Sequence, residues 1–198
     1  MNKTTKTLIL LTLLLTSQQN AQAFNLNGKK WVEKRLTIIL PASLDDPKLI
    51  KRIKFIAMQI RKNVPFKVSV RIRESGAFIS LYDELTFATE EKAVVVLYTP
   101  GETFGLGTRV ANAGFIASNG GNNVHASLVR INDLRYQTVT DGGDITYLAN
   151  LIGHEVGHAV GLDHASSTKK PRPIMSIGKF GKVGLTRDDK KGLRKVYR

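Results

Sequence analysis

An α+β domain is the fold class this sequence predicts, and three features carry the prediction. Short runs of branched residues fill much of the chain before Ile131. Apolar residues recur at helical spacing between Asp45 and Asn63, and two further helical segments, each with a capping residue, come late in the chain. With 198 residues and no repeat, low-complexity tract or linker, a single domain is expected.

Residues 1–23 stand apart from that domain. Lys3 and Lys6 precede the run "LILLTLLL" (8–15), and "AQA" (21–23) supplies a small-x-small cleavage pattern, which together predict a secretory signal peptide. The run is interrupted and shorter than the ~20 apolar residues a span requires, so no transmembrane segment is expected. The domain over 24–198 is therefore placed outside the cytoplasm, secreted or periplasmic.

"RLTIILP" (35–41), rich in branched residues and ending at proline, reads as a strand. Next, Leu49, Ile53, Ile56 and Ile60 define an amphipathic helix packed on the core, with Lys48, Lys51, Arg52 and Lys62 among the intervening positions. Its basic face could touch an anionic membrane, but the expected role is an ordinary solvated face. "FKVSVRIR" (66–73) and "KAVVVLY" (92–98) are strands, the second apolar enough for the middle of a sheet. A glycine-rich loop, a strand over Thr108 to Ile116, a turn at "SNGGNN" and a strand from Val124 to Ile131 follow. Asp144 is suited to cap a helix from Ile145 to Val160 that stops at Gly161. Thr186 and Asp189 have capping-box spacing ahead of the last helix, with aspartate in place of the usual glutamate.

Removal of Lys3 and Lys6 lowers the formal net charge from +14 to +12. The basic residues are dispersed and few aromatics are interleaved with them. No stacking platform or reading motif points to a specific nucleic-acid partner; a basic surface favouring anionic substrates or envelope polymers is expected instead. The chain has no cysteine, which excludes disulfides and lipid attachment at a cysteine.

Three of the four histidines fall within "HEVGHAVGLDH" (154–164). His154 and His158, four residues apart on a predicted helix, project from one face and can reach one divalent ion. Glu155 lies close enough to contact a water on that ion without being a ligand. Catalytic zinc normally takes three protein ligands and keeps one position open. No glutamate follows Glu155, so His164 remains as the third ligand. Gly161 explains how it arrives, because glycine tolerates the left-handed conformation that ends a helix and lets the chain turn back under the metal. His125, alone in a predicted strand, is expected to be a packed or surface residue.

With these residues in place the sequence resembles the metzincin zinc endopeptidases, whose signature HExxHxxGxxH is matched in full by His154 to His164. Among them it is most similar to the matrixins: "YLANLIGHEVGHAVGLDHASS" carries GHxxGLxHxS, "PIMS" (173–176) stands where the Met-turn belongs, and "LTRDDKKGLRKVY" resembles the final matrixin helix. The resemblance is strong from Tyr147 to Tyr197. It implies a zincin-like, metzincin-like fold, with a twisted mixed sheet, an amphipathic helix, an active-site helix and a C-terminal helix. It implies one catalytic Zn2+, with Met175 beneath the histidines as a support that does not bind metal. It also implies an edge strand, for which Thr108 to Ile116 is the candidate, pairing antiparallel with an extended polypeptide substrate. By the same resemblance "SIGKFGKVGL" (176–185) forms the primary pocket wall. Calcium sites and a second zinc are not carried over, and without cysteine no cysteine switch can operate. A monomer is expected.

The function that follows is a secreted zinc-dependent endopeptidase in which zinc-activated water attacks the peptide bond with Glu155 as general base. Two alternatives stay open. One is a cell-wall peptide hydrolase with the same zinc chemistry, which the positive charge would suit. The other is a basic secreted binding protein with a non-catalytic zinc site, against which Glu155 argues, since a closed structural site needs no base.

Overall fold

The computed structural model describes residues 25–73, 80–99, 101–117, 121–140, 143–165, 171–176 and 184–198. The expected signal peptide lies outside them, as does most of the expected pocket-wall loop. In chain order the strands are β1 (Asn25–Leu26), β2 (Lys30–Trp31), β3 (Arg35–Leu40), β4 (Lys67–Ile72), β5 (Ala93–Leu97), β6 (Ala111–Ala117), β7 (Asn123–Ile131) and β8 (Leu162–Asp163). The α-helices are α1 (Pro47–Arg61), α2 (Leu81–Glu91), α3 (Asp133–Val139), α4 (Ile145–Ala159) and α5 (Arg187–Val196).

The apolar spacing between Asp45 and Asn63 produces α1, in which Leu49, Ile53, Ile56 and Ile60 are all buried. Asp46 begins the helix: its carboxylate accepts the backbone N–H groups of Lys48 and Leu49. Pro47 occupies the first turn, where a missing N–H is tolerated.

Strands β4, β3, β5 and β7 lie side by side in that order, all parallel, with two-residue β2 also parallel to β7. Only β6 runs antiparallel, on β7, so the main sheet is mixed. Consecutive parallel strands need crossover connections, which α1 supplies between β3 and β4 and α2 between β4 and β5. Helix α2 is absent from the sequence expectations because its apolar periodicity is weak, with Leu81, Tyr82 and Leu85 exposed. Its start was nonetheless written locally, Ser80 Oγ accepting the Asp83 N–H. Short α3 was also not foreseen, so three helices rather than two close the chain.

Alternating residues of β3 and β5 point to opposite faces. Ile38, Leu40, Val94 and Val96 pack with the buried side chains of α1 and α4, while Ile39, Val95 and Leu97 pack with Ala88 and Phe87 of α2. Burial on both faces is why "AVVVL" shows no polar alternation.

The strand expected from Thr108 starts three residues later, at Ala111. Gly107 has φ 58° and the Arg109 N–H donates to Leu106 O, so Thr108 sits in a turn. No helix among the described residues is long and apolar enough to cross a membrane.

Candidate metal centre

Helix α4 begins at Asp144, whose carboxylate accepts the Thr146 N–H, and it carries His154 and His158 on one side of its last turns. At its end Gly161 adopts φ 98°, a left-handed conformation that also brings its Cα against Lys29 O, where a Cβ would collide. The chain then enters β8 and delivers His164.

The three imidazoles converge. One ligand atom from each lies within 4.8 Å of the others, and His158 Nε2 and His164 Nε2 are 3.3 Å apart. Tetrahedral zinc with Zn–N of about 2.0–2.1 Å requires nitrogens roughly 3.3 Å from one another, so this pair has the spacing of one edge of such a site. The rings are also held in one tautomer. His154 Nδ1–H donates to Ile174 O at 2.8 Å and His158 Nδ1–H to Leu162 O at 2.9 Å, which puts the lone pair of each on Nε2. Burial, reinforced by the neighbouring His158, pushes the His154 pKa down to about 3, and burial lowers that of His158. Neutral imidazoles of this orientation are what a divalent cation binds, so the residues present fit zinc.

Glu155 follows His154 on the buried side of α4. Burial raises its carboxyl to about 7, against the opposing pull of a hydrogen bond from the Ala113 N–H. Ala113 belongs to β6, which at its other edge pairs antiparallel with β7 from Ala111 to Ala117. The expected edge strand and the expected base therefore touch.

Met175 is fully buried and packs against Gly157, where any Cβ would strike its sulfur. Gly153 has the same constraint, a Cβ there meeting Ile174 Cδ1 at 2.7 Å and Ile56 Cδ1 at 3.0 Å. Helix α4 thus needs glycine one turn apart so that 173–176 can approach closely enough for Ile174 O to reach His154. The Met175 carbonyl accepts the Ala165 N–H at 2.9 Å, tying this turn to the residue after His164.

Several supporting residues were not anticipated. Asp189, fully buried, closes the capping box with Thr186 and also accepts the Ile174 N–H at 3.0 Å and the Met175 N–H at 3.5 Å. The capping residue of the last helix thereby anchors the turn under the histidines. Asn27 Nδ2 donates to His158 O at 2.9 Å and Leu162 O at 3.2 Å, and Asn25 Nδ2 donates to His164 O at 2.9 Å. The only sequence signal for these was asparagine in "NLNG", which a turn would equally explain. His125 lies away from the cluster, its Nδ1 2.7 Å from Glu33 Oε1, with Lys92 Nζ 3.5 Å from Glu33 Oε2. The hydrogen bond to His125 is the largest influence holding the Glu33 carboxyl below its ordinary value.

Comparison with known proteins adds a family. A family model described as Matrixin matches residues 74–198. No curated protein matches. Among solved structures, archaemetzincin from Methanopyrus kandleri is 13% identical with a TM-score of 0.44, over 86% of this chain and 96% of that one. Myroilysin is 14% identical with a TM-score of 0.43, again over 86% and 96%. High choriolytic enzyme 1, a hatching enzyme zinc-protease from the medaka fish Oryzias latipes, is 10% identical with a TM-score of 0.38, over 84% and 92%.

Proposed function

The chain belongs to the matrixin family of zinc metallopeptidases, and from that premise we propose that it is a secreted endopeptidase with Glu155 as its general base. The observation that carries this reading is the convergence of His154, His158 and His164 within 4.8 Å beside a buried carboxyl. His154, His158 and His164 would hold zinc through nitrogen. When bound, zinc supplies Lewis acidity, lowering the pKa of water and polarising a carbonyl oxygen.

The chain's own residues do the rest. Strand β6 offers backbone groups to which an extended polypeptide adds antiparallel, and this places the scissile bond over the end of α4. Glu155 accepts a proton from the attacking water on its carboxylate oxygen and passes it to the departing amine nitrogen. A carboxyl raised towards neutrality by burial suits both transfers, and the Ala113 N–H keeps it aimed. Gly161, Met175 and Asp189 hold the third histidine and the turn beneath in place.

The test is Glu155→Gln, assayed for bound zinc and for cleavage of a mixed peptide library. Full zinc occupancy with cleavage reduced at least about a hundredfold is expected, the lower end of a general-base contribution. Undiminished cleavage would overturn the assignment of the base. Cleavage of wall peptide in place of protein would move the substrate to the envelope.

A further inference from the structure

Helix α1 has an outward side that the enzyme chemistry does not use. From Pro47 to Asn63 the sequence holds six lysines and arginines and no carboxylate. Arg52 is tied to Thr146 Oγ1 at 2.6 Å, whereas Lys48, Lys51, Lys54, Arg61 and Lys62 are exposed. Among the described residues none of these five forms an ion pair, although carboxylates elsewhere recruit Arg71, Arg73 and Lys92.

Two large apolar side chains stand in the middle of this charge. Phe55 is 42% exposed and Met58 41%. On a helix of 3.6 residues per turn, Lys48, Lys51, Phe55, Met58 and Lys62 form one stripe about 21 Å long, apolar at the centre and cationic at both ends. Lys54 and Arg61 flank one side of it. Arg194 extends the positive ground beyond Asn63, with which it hydrogen-bonds. The nearest carboxylates along the helix are Asp45 and Asp46 at its start, and Asp46 is already occupied as the cap.

Phe55 rests one edge of its ring against Gly184, but it and Met58 still present apolar surface one turn apart within the cationic stripe, which a soluble polyanion would leave unused because it needs the lysines alone. An anionic bilayer uses both. Phenylalanine and methionine enter the acyl boundary while lysines, through their long stems, keep their ammonium groups among the phosphates. We propose that the outward stripe of α1 docks the enzyme on membranes bearing anionic phospholipid, with Phe55 and Met58 inserted and Lys48, Lys51, Lys54, Arg61 and Lys62 paired to headgroups. The docking face lies opposite the helix side that packs on the core, so binding requires no change in the fold.

The test uses the zinc-loaded protein and flotation with vesicles of phosphatidylcholine, alone or mixed in equal parts with phosphatidylglycerol. Binding to the mixed vesicles and not to phosphatidylcholine is expected. Replacing Lys48, Lys51 and Lys62 by glutamine should weaken it about a hundredfold, each basic side chain near an anionic surface contributing about fivefold. Phe55→Ser with Met58→Ser should weaken it at least about tenfold, given the apolar area these side chains can insert. The single tryptophan, Trp31, is buried, so Phe55→Trp adds a reporter whose emission should shift to the blue only on the mixed vesicles. Peptide hydrolysis in solution by the glutamine variant should equal that of the parent, and the Phe55 variants, whose ring position borders Gly184, should bind zinc and unfold in urea as the parent does, which shows that all of them fold. Equal binding to both vesicle types, no emission shift, or undiminished binding by the glutamine variant would overturn the proposal. So would a soluble polyanion that binds regardless of Phe55 and Met58 and strips the protein from vesicles, because it would assign the face to a polymer.

Discussion

Substitution of Gly157 by alanine tests whether helix α4 and the turn at Met175 are shaped to one another. The new Cβ would lie far inside 3.0 Å of Met175 Sδ, with Met175 Cε at 3.4 Å and Leu162 Cδ1 at 3.8 Å. Carbon and sulfur are comfortable at roughly 3.5–4.0 Å, so the thioether has to move by more than about 0.5 Å. Met175 has no exposed surface and nowhere to retreat without displacing its neighbours. Overpacking of this kind costs about 1–3 kcal/mol, and the better helix propensity of alanine returns ~1 kcal/mol. The net expectation is a loss of about 0–2 kcal/mol. Met175→Ala alone should cost about 2–5 kcal/mol through the cavity it leaves. In the double variant the methyl of residue 157 enters that cavity and the collision is gone, so the double should be about 2 kcal/mol more stable than the two losses summed. Urea unfolding with zinc present and with a chelator separates packing from metal linkage. Additivity within about 0.5 kcal/mol would refute the contact.

Asn27→Ala should weaken zinc binding about 10- to 100-fold in competition with a chromogenic chelator, since it releases the carbonyl that orients His158 Nδ1. Asp189→Ala leaves the Ile174 and Met175 N–H groups without their acceptor and should cost about 2–4 kcal/mol in urea unfolding, with zinc affinity falling alongside. Glu33→Gln isolates a pH effect. The Glu33 carboxyl is held below its ordinary 4.5, so its contribution is present above that value and is lost as pH falls through the lower folded one. The stability gap between parent and Glu33→Gln should therefore be open at neutral pH and close in acid; a gap independent of pH would show that the charge on Glu33 is irrelevant. Gly161→Ala combines a left-handed backbone with a collision against Lys29 O and should lose more than about 2 kcal/mol, together with zinc.

Much of the site was legible because its instructions are local. His154 and His158 meet on one face through helical spacing, and Gly161 breaks the helix at the point that returns His164 to them. The helices with strong signals were legible for the same reason: α1 by its apolar stripe, α4 and α5 by Asp144 and the Thr186 and Asp189 box. Helix α2 escaped because its stability comes from closing over Val95 and Leu97, a property of the sheet it covers. Strand β6 was placed too early because "TRV" looks extended, while the turn through Gly107 carries Thr108 and Arg109 with it.

The sequence by itself determined which groups can meet one ion and where a carboxylate stands beside them, since spacing along a helix is enough to set both. Only the tertiary structure decided what holds them. Asn25 and Asn27 reach carbonyls 139 and 131 residues away, Asp189 turns a helix cap into a brace for Ile174 and Met175, and Ala113 meets Glu155 across the edge of a sheet. Backbone carbonyls and N–H groups are the same at every residue, so no pattern in the sequence marks which of them a distant side chain will find. That is settled only when the chain folds back and buries them together.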